Sequence, residues 1–291
     1  MATESSKLEK PVVRIAGVND EPSPTWDLNE GLDVLDELGI KFIELRAAHG
    51  KMVDQMDDDT FYRVADRVLE RGFSVTTYLG QVGRDVPTDD ICKRDLEWME
   101  RGVKRADYLG TTQLRTMGYR KGEEGVDWLE RAIEMYKNMT AIAASGNKTL
   151  IFENSPNKTA AVCMSSDCLT ALKEVNSPHF RSNFDPGNFG AHGEVGIHLF
   201  ELFKDYIGNV HVKDIRMPGD PGTYCLPGDG QCGYPEIFKR LAQMGYAKCV
   251  TIEPHLKHKE NFHVSGREEY TKAAKRILNL LENAGFQVQK T

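Results

Sequence analysis

The sequence predicts a single-domain (β/α)8 TIM barrel of the α/β class, and three observations carry that prediction. Short β-branched or apolar runs alternate strictly with longer segments of helical periodicity. Glycine closes several helical segments just before the next run, at Gly39, Gly72, Gly146 and Gly245, where a left-handed residue stops a helix and turns the chain into a strand. The 291 residues also suit eight such units in one domain, since a closed barrel of this kind needs about 250.

In chain order, the first strand is expected over 12–18 and the first helix over 28–38, with Leu28, Leu32, Leu35 and Leu38 on one face. A strand over 41–46 precedes a helix over 60–71, which follows three aspartates suited to the positive end of a helix dipole. Strands over 74–79 and 113–118 are followed by the long amphipathic segments 89–109 and 126–144. The strand over 149–154 leads to a helix over 166–175 with a serine cap, and the strand over 181–185 to an aromatic-rich helix over 197–206. The last two pairs are 210–215 with 235–244, where Pro235 suits the first turn, and 248–254 with 268–284. Strands joined by helical crossovers must run parallel. A doubly wound open sheet is the architectural rival, but no Gly-x-Gly-x-x-Gly follows the first strand. Residues 1–10 read as a polar N-terminal extension and 11–291 as the barrel.

Composition narrows the function. With 40% hydrophobic and 28% charged residues, the chain is neither fibrous nor wholly disordered. It has no apolar run of the ~18 residues a membrane span requires, and its first ten residues lack the apolar core of a secretion signal. A cytoplasmic location is expected. A net charge of −7 argues against nucleic acid as the main partner, because a duplex binder needs a basic face. None of the six cysteines forms a Cys-x-x-Cys pair, so free thiols are expected rather than disulfides or a zinc knuckle.

In a parallel barrel the active site lies at the C-terminal strand ends. The later strands end in Ile-Phe-Glu-Asn (151–154), Asn-Phe-Asp-Pro (183–186), Val-His-Val-Lys-Asp (210–214) and Thr-Ile-Glu-Pro-His (251–255). Strand alternation turns Phe152, Phe184, Val210, Val212 and Ile252 toward the helices, and Glu153, Asp185, His211 and Glu253 toward the barrel axis. Three carboxylates in one low-dielectric pocket repel each other unless a cation compensates. Oxygen donors with one imidazole suit one divalent ion, Mn2+ first and Mg2+, Co2+ or Zn2+ otherwise.

These same segments carry a family likeness. Phe-Glu-Asn (152–154), Phe-Asp-Pro-Gly-Asn (184–188), His-Val-Lys-Asp (211–214), Gly-Asp-Gly (228–230) and Ile-Glu-Pro-His-Leu (252–256) occur in order, and the chain from 12 to 286 resembles the xylose isomerase-like TIM-barrel superfamily, in its sugar phosphate isomerase/epimerase branch. The resemblance implies one divalent ion held by Glu153, Asp185, His211 and Glu253, with Glu153 and Glu253 as catalytic acid and base on opposite faces of a small carbohydrate. One removes the proton beside a carbonyl, an enediolate forms, and the other reprotonates it. A sugar isomerase or epimerase is the expected activity; a dehydratase or lyase of a keto-sugar or keto-inositol, inosose dehydratase-like or C-glycoside-cleaving, is the alternative on the same metal site. The chain departs from the ketose 3-epimerase pattern at Thr159, where those enzymes carry a second glutamate, and at Asn188, where they carry a histidine. Endonuclease IV shares the barrel but uses extra histidines and a basic face, and a non-catalytic sugar-binding subunit is the remaining rival class.

Asn188, Lys213, Arg216 and His255 are the candidate substrate-binding residues. For Lys213 the competing reading is an ion pair with Asp214 or Glu253, for His255 the orientation of Glu253, and for Arg216 a solvated side chain. The Gly/Pro-rich segment 217–230 is expected to cover the substrate, with 78–86 as the opposite wall, and His49 and His192 as rim residues. A homo-oligomer is possible for this family.

Overall fold

The computed structural model describes residues 10–256 and 264–291. Most of the expected 1–10 extension therefore lies outside the described residues. The strands are β1 (Val12–Val18), β2 (Phe42–Leu45), β3 (Ser74–Tyr78), β4 (Gln113–Thr116), β5 (Thr149–Glu153), β6 (Phe180–Phe184), β7 (Ile207–Val212), β8 (Cys249–Ile252) and β9 (Gln287–Gln289). Between them lie α1 (Leu28–Glu37), α2 (Asp58–Glu70), α3 (Asp89–Leu109), α4 (Trp128–Ser145), α5 (Ser165–Val175), α6 (Ile197–Phe203), α7 (Tyr234–Gln243) and α8 (Arg267–Asn283). Every strand pair in the main sheet is parallel, and β8 pairs back onto β1 with Ala16 opposite Thr251, which closes the barrel. This is the expected single-domain (β/α)8 architecture.

Local chemistry sets the element ends. Asp27, Asp57 and Asp127 accept from the backbone N–H three residues on, which satisfies free donors at the starts of α1, α2 and α4. Helix α3 ends on Gly110 at φ +70, the left-handed conformation glycine adopts without strain.

Outward-facing strand residues pack under the helices. Phe152 and Phe180 stack at 5.9 Å beneath Tyr136 of α4, and Phe184 meets Phe200 and Phe203 around α6. Each such buried ring is worth about 2–3 kcal/mol of transfer free energy. Because Phe152 and Phe184 are locked outward, the next residue of each strand end, Glu153 and Asp185, must face the axis.

The barrel interior is also polar at residues that the expected strands did not include. Strand β7 begins at Ile207 rather than 210. Gly208 lies where an added Cβ would sit 2.7 Å from the Cβ of Arg181, so only glycine lets β6 and β7 approach there. Asn209 then points inward and donates to Glu44 Oε1 at 2.7 Å and to Asn183 Oδ1 at 2.9 Å. Strand β9, which extends the sheet beside the first half of β1, and a single helical turn at Pro186–Gly190 were not foreseen either. Among the described residues, no helix is long and apolar enough to cross a membrane.

Candidate metal centre and active site

Glu153, Asp185, His211 and Glu253 come from the ends of four consecutive strands and are all buried. Each offers one ligand atom to a group whose members lie within 4.8 Å of one another. The parity argument thus locates all four side chains.

Each of the two glutamates is held by an arginine. Arg115 donates to Glu153 Oε2 at 2.7 Å, and Arg46 donates to Glu253 Oε1 at 2.7 Å. The other oxygens, Glu153 Oε1 and Glu253 Oε2, face the centre, at 3.5 and 2.9 Å from His211 Nδ1. Burial pushes both carboxyls up, but for Glu153 the neighbouring His211 and Arg115, and for Glu253 Lys213 and His211, outweigh it and hold them below the ordinary range. Asp185 differs. Burial dominates, and its carboxyl is pushed up to about 6 despite Lys213.

His211 is fixed by a residue the sequence reading did not single out. Its Nε2 lies 2.7 Å from Glu44 Oε2. Glu44 also accepts from Asn209 and Thr251, so its carboxylate cannot swing away. Glu44, Glu253 and Glu153 outweigh burial and raise the His211 pKa well above its ordinary value, so without an ion both ring nitrogens carry protons; with Nε2–H held by Glu44, Nδ1 is the nitrogen a bound metal would take in place of its proton. Three carboxylate oxygens and one such nitrogen fit a hard or borderline divalent cation.

The secondary candidates divide. Asn188 Nδ2 donates to Glu153 Oε1 at 3.0 Å and to Asn154 O at 2.9 Å, and Asn188 lines the central cavity. Lys213 Nζ lies 2.6 Å from Glu253 Oε2 and 2.8 Å from Asp185 Oδ2, so it is part of the carboxylate cluster, in the ion-paired arrangement. His255 Nε2 is 3.6 Å from Glu253 Oε1 and 3.1 Å from Glu21 Oε1; burial, aided by Lys213, lowers its pKa to about 3. Arg216 is not brought to the cluster. It is exposed beyond the two-residue ribbon strand Asp214–Ile215, its backbone tied to Thr223 and Gln231, and the solvated reading replaces the substrate contact.

The two expected loop walls meet over the site. Gly83 and Arg84 from one side and Gly219, Asp220 and Pro221 from the other line a cavity of about 660 Å³. It adjoins the carboxylate pocket through Arg84, Met117 and Pro156, which line both. Asp20, Glu44, Arg46, Arg84 and Arg115 were missed, although strands two and four carry the same signal as the later ones. In a barrel strand buried on both faces, Glu44-Leu45-Arg46 and Leu114-Arg115-Thr116 alternate charged with apolar or uncharged residues, and the charged parity faces the axis.

The structure is thus a parallel barrel with a carboxylate–histidine cluster at its C-terminal mouth, a set of side chains that could hold a metal ion. The profile of the xylose isomerase-like TIM barrel family matches residues 32–281, and the chain belongs to that family. It is 27% identical over 124 residues to the fructoselysine 3-epimerase of Escherichia coli O157:H7; the match takes in 42% of this chain and 44% of that relative, less than half its length. The fold is similar to that of the IOLI protein solved with a bound zinc atom, at a TM-score of 0.74 and 14% identity over 93% of this chain and 98% of that one. It is also similar to the probable 3-DHS dehydratase AsbF from Bacillus anthracis, at a TM-score of 0.70 and 16% identity over 92% and 99% of the two chains.

Proposed function

We propose that the protein is a divalent-metal-dependent isomerase or epimerase of a small polyhydroxy carbonyl compound, with Glu153 and Glu253 as the proton-transfer pair. The observation that carries this reading is the symmetry of the two glutamates. Each spends one oxygen on an arginine at 2.7 Å and turns the other toward the shared centre. A divalent ion held by Glu153, Asp185, His211 and Glu253, with manganese our first choice, supplies Lewis acidity toward a carbonyl and its neighbouring hydroxyl. The arginines keep both glutamates ionised until a proton is transferred, and they fix each carboxylate plane. Asn188 steadies the inner oxygen of Glu153.

The fructoselysine 3-epimerase likeness supports proton transfer at a sugar carbon, and the dehydratase likeness keeps elimination as the second reading. Both begin with the same proton abstraction.

Metal analysis of protein loaded with Mn2+ and desalted is expected to find one ion per chain. Glu153→Gln is expected to abolish turnover with its melting temperature near that of the parent. Protein that retains no divalent ion after Mn2+, Co2+ and Zn2+ have each been supplied would overturn the reading.

A further inference from the structure

Arg84 is the charged side chain at the site that the proton-transfer chemistry leaves without a task. It lines the carboxylate pocket together with Arg46, Arg115 and Glu153, and it lines the outer cavity together with Arg120 and Lys158. Arg46 is engaged by Asp20 and Glu253, and Arg115 by Glu153. Among the described residues, no hydrogen bond or ion pair reaches the Arg84 guanidinium. Burial, reinforced by Arg115, lowers its pKa only to about 10, so it stays charged near neutral pH.

The loop holds this side chain in place. Gly83 has φ +85, and an added Cβ there would lie 2.7 Å from Met117 O. The segments on either side are bonded strand-like to the end of β4, with Met117 N–H donating to Val82 O and Arg120 N–H to Asp85 O. A rigid loop thus presents a half-buried guanidinium where two cavities join.

Charge balance points the same way. Among the described residues, the ion-paired network of the site contains the carboxylates of Asp20, Glu44, Glu153, Asp185 and Glu253 and the cations Arg46, Arg115 and Lys213. Glu153, the carboxylate that attracts Arg84, is already bonded to Arg115 at 2.7 Å, and the positive charges of Arg115 and Arg46 bear on Arg84 as well. A ligand anion placed there would offset that crowding of positive charge.

We propose that Arg84 anchors an anion subsite and that the substrate is an anionic one: a polyhydroxy carbonyl compound bearing a carboxylate or a phosphate at the end remote from its carbonyl. The inference deepens the reading of the same site as a proton-transfer centre and rests on it. The planar fork of a guanidinium accepts either anion through paired N–H···O bonds. Lys158, whose Nζ donates to Gly219 O at 3.3 Å, and the exposed Arg120 add positive charge at the outer wall. Asp220, the acid on that wall, is turned to its own loop, where it accepts from Gly222 N–H.

The test is calorimetric binding to the Mn2+-loaded full chain of three probes: D-fructose, D-fructose 6-phosphate and 5-keto-D-gluconate. At least one anionic probe is expected to bind about 10- to 100-fold tighter than fructose, the range of a charge-assisted contact. Whether that probe is the phosphate or the carboxylate identifies the anion. In Arg84→Gln the anionic-to-neutral ratio should collapse toward one, and in Arg84→Lys it should recover in part. Equal binding of all three probes by the parent protein would overturn the proposal. So would a preference that survives in Arg84→Gln, because the anion would then be held elsewhere, as by the metal itself. Solvent-deuterium exchange into the same probes separates the two ideas. An Arg84-dependent anion preference without exchange into any probe keeps the subsite and removes the proton-transfer reading.

Discussion

Glu44→Gln is the sharpest probe of how the centre is organised. The change keeps the side-chain volume and removes one negative charge that never touches the proposed ion. In the native arrangement Glu44 Oε2 faces His211 Nε2 at 2.7 Å, while Oε1 accepts from Asn209 at 2.7 Å and from Thr251 Oγ1 at 2.8 Å. A glutamine offers one oxygen and one NH2 to these donors, so one donor must face another donor. The lost charge-assisted bond is worth about 1.5–3 kcal/mol. Part of that loss appears as lower stability. The part that concerns function appears because His211 is no longer held with Nδ1 toward the carboxylates, and such losses weaken metal binding by about 10- to 100-fold. Titrating Mn2+ into metal-free protein, with free ion counted by electron paramagnetic resonance, measures this directly. A folded Glu44→Gln protein that binds Mn2+ within about twofold of the parent would refute the reasoning. If the variant melts too low for titration, the Mn2+-induced rise in its melting temperature reads the same quantity.

Two further outcomes follow from the charge environment. Arg115 and His211 hold Glu153 low, so Arg115→Met should raise the pKa of that carboxyl and shrink its basic form at acid pH; the acid limb of kcat/KM should move up by roughly 1–3 units while Arg115→Lys keeps it nearer the parent. An unmoved acid limb in Arg115→Met would contradict this. Burial pushes the Cys249 thiol up from 9.0 to about 12. Its folded pKa exceeds the unfolded one, so the associated stability is fully present below about pH 9 and is lost as pH rises toward 12. The effect is worth at most about 4 kcal/mol. Cys249→Ala should therefore lose stability less steeply than the parent between pH 8 and 11, and parallel curves would count against it.

Much of the fold was legible because one repeated rule generates it. Period-two and period-3.6 segments alternate, and helical crossovers force a parallel sheet. The four inward residues followed from the same alternation, anchored by Phe152, Phe184, Val212 and Ile252, which have only the helix side on which to bury an apolar side chain. Glu44, Arg46 and Arg115 lay within reach of that rule but belong to strands that carry no metal-type motif. Strand β7 was expected three residues late, at 210 rather than Ile207. Asn209 is stabilised by Glu44 and Asn183 on other strands, contacts that no local pattern encodes. Arg216 was placed in the loop after strand seven, and no local pattern says whether a loop side chain turns to the site or to solvent. Past Val212 the chain turns into the ribbon strand Asp214–Ile215, whose Asp214 accepts from Gly228, Gly230 and Cys232.

The central claim is that Glu153 and Glu253 move a proton at a carbon next to a carbonyl. Incubating the Mn2+-loaded protein in D2O with a panel of keto-sugars, keto-acid sugars, inositol ketones and hydroxypyruvate measures that step, whether the product is isomerised or dehydrated. The account predicts deuterium at the carbon beside the carbonyl of at least one compound, and none with Glu153→Gln. No exchange into any member of the panel, or undiminished exchange in Glu153→Gln, would contradict it.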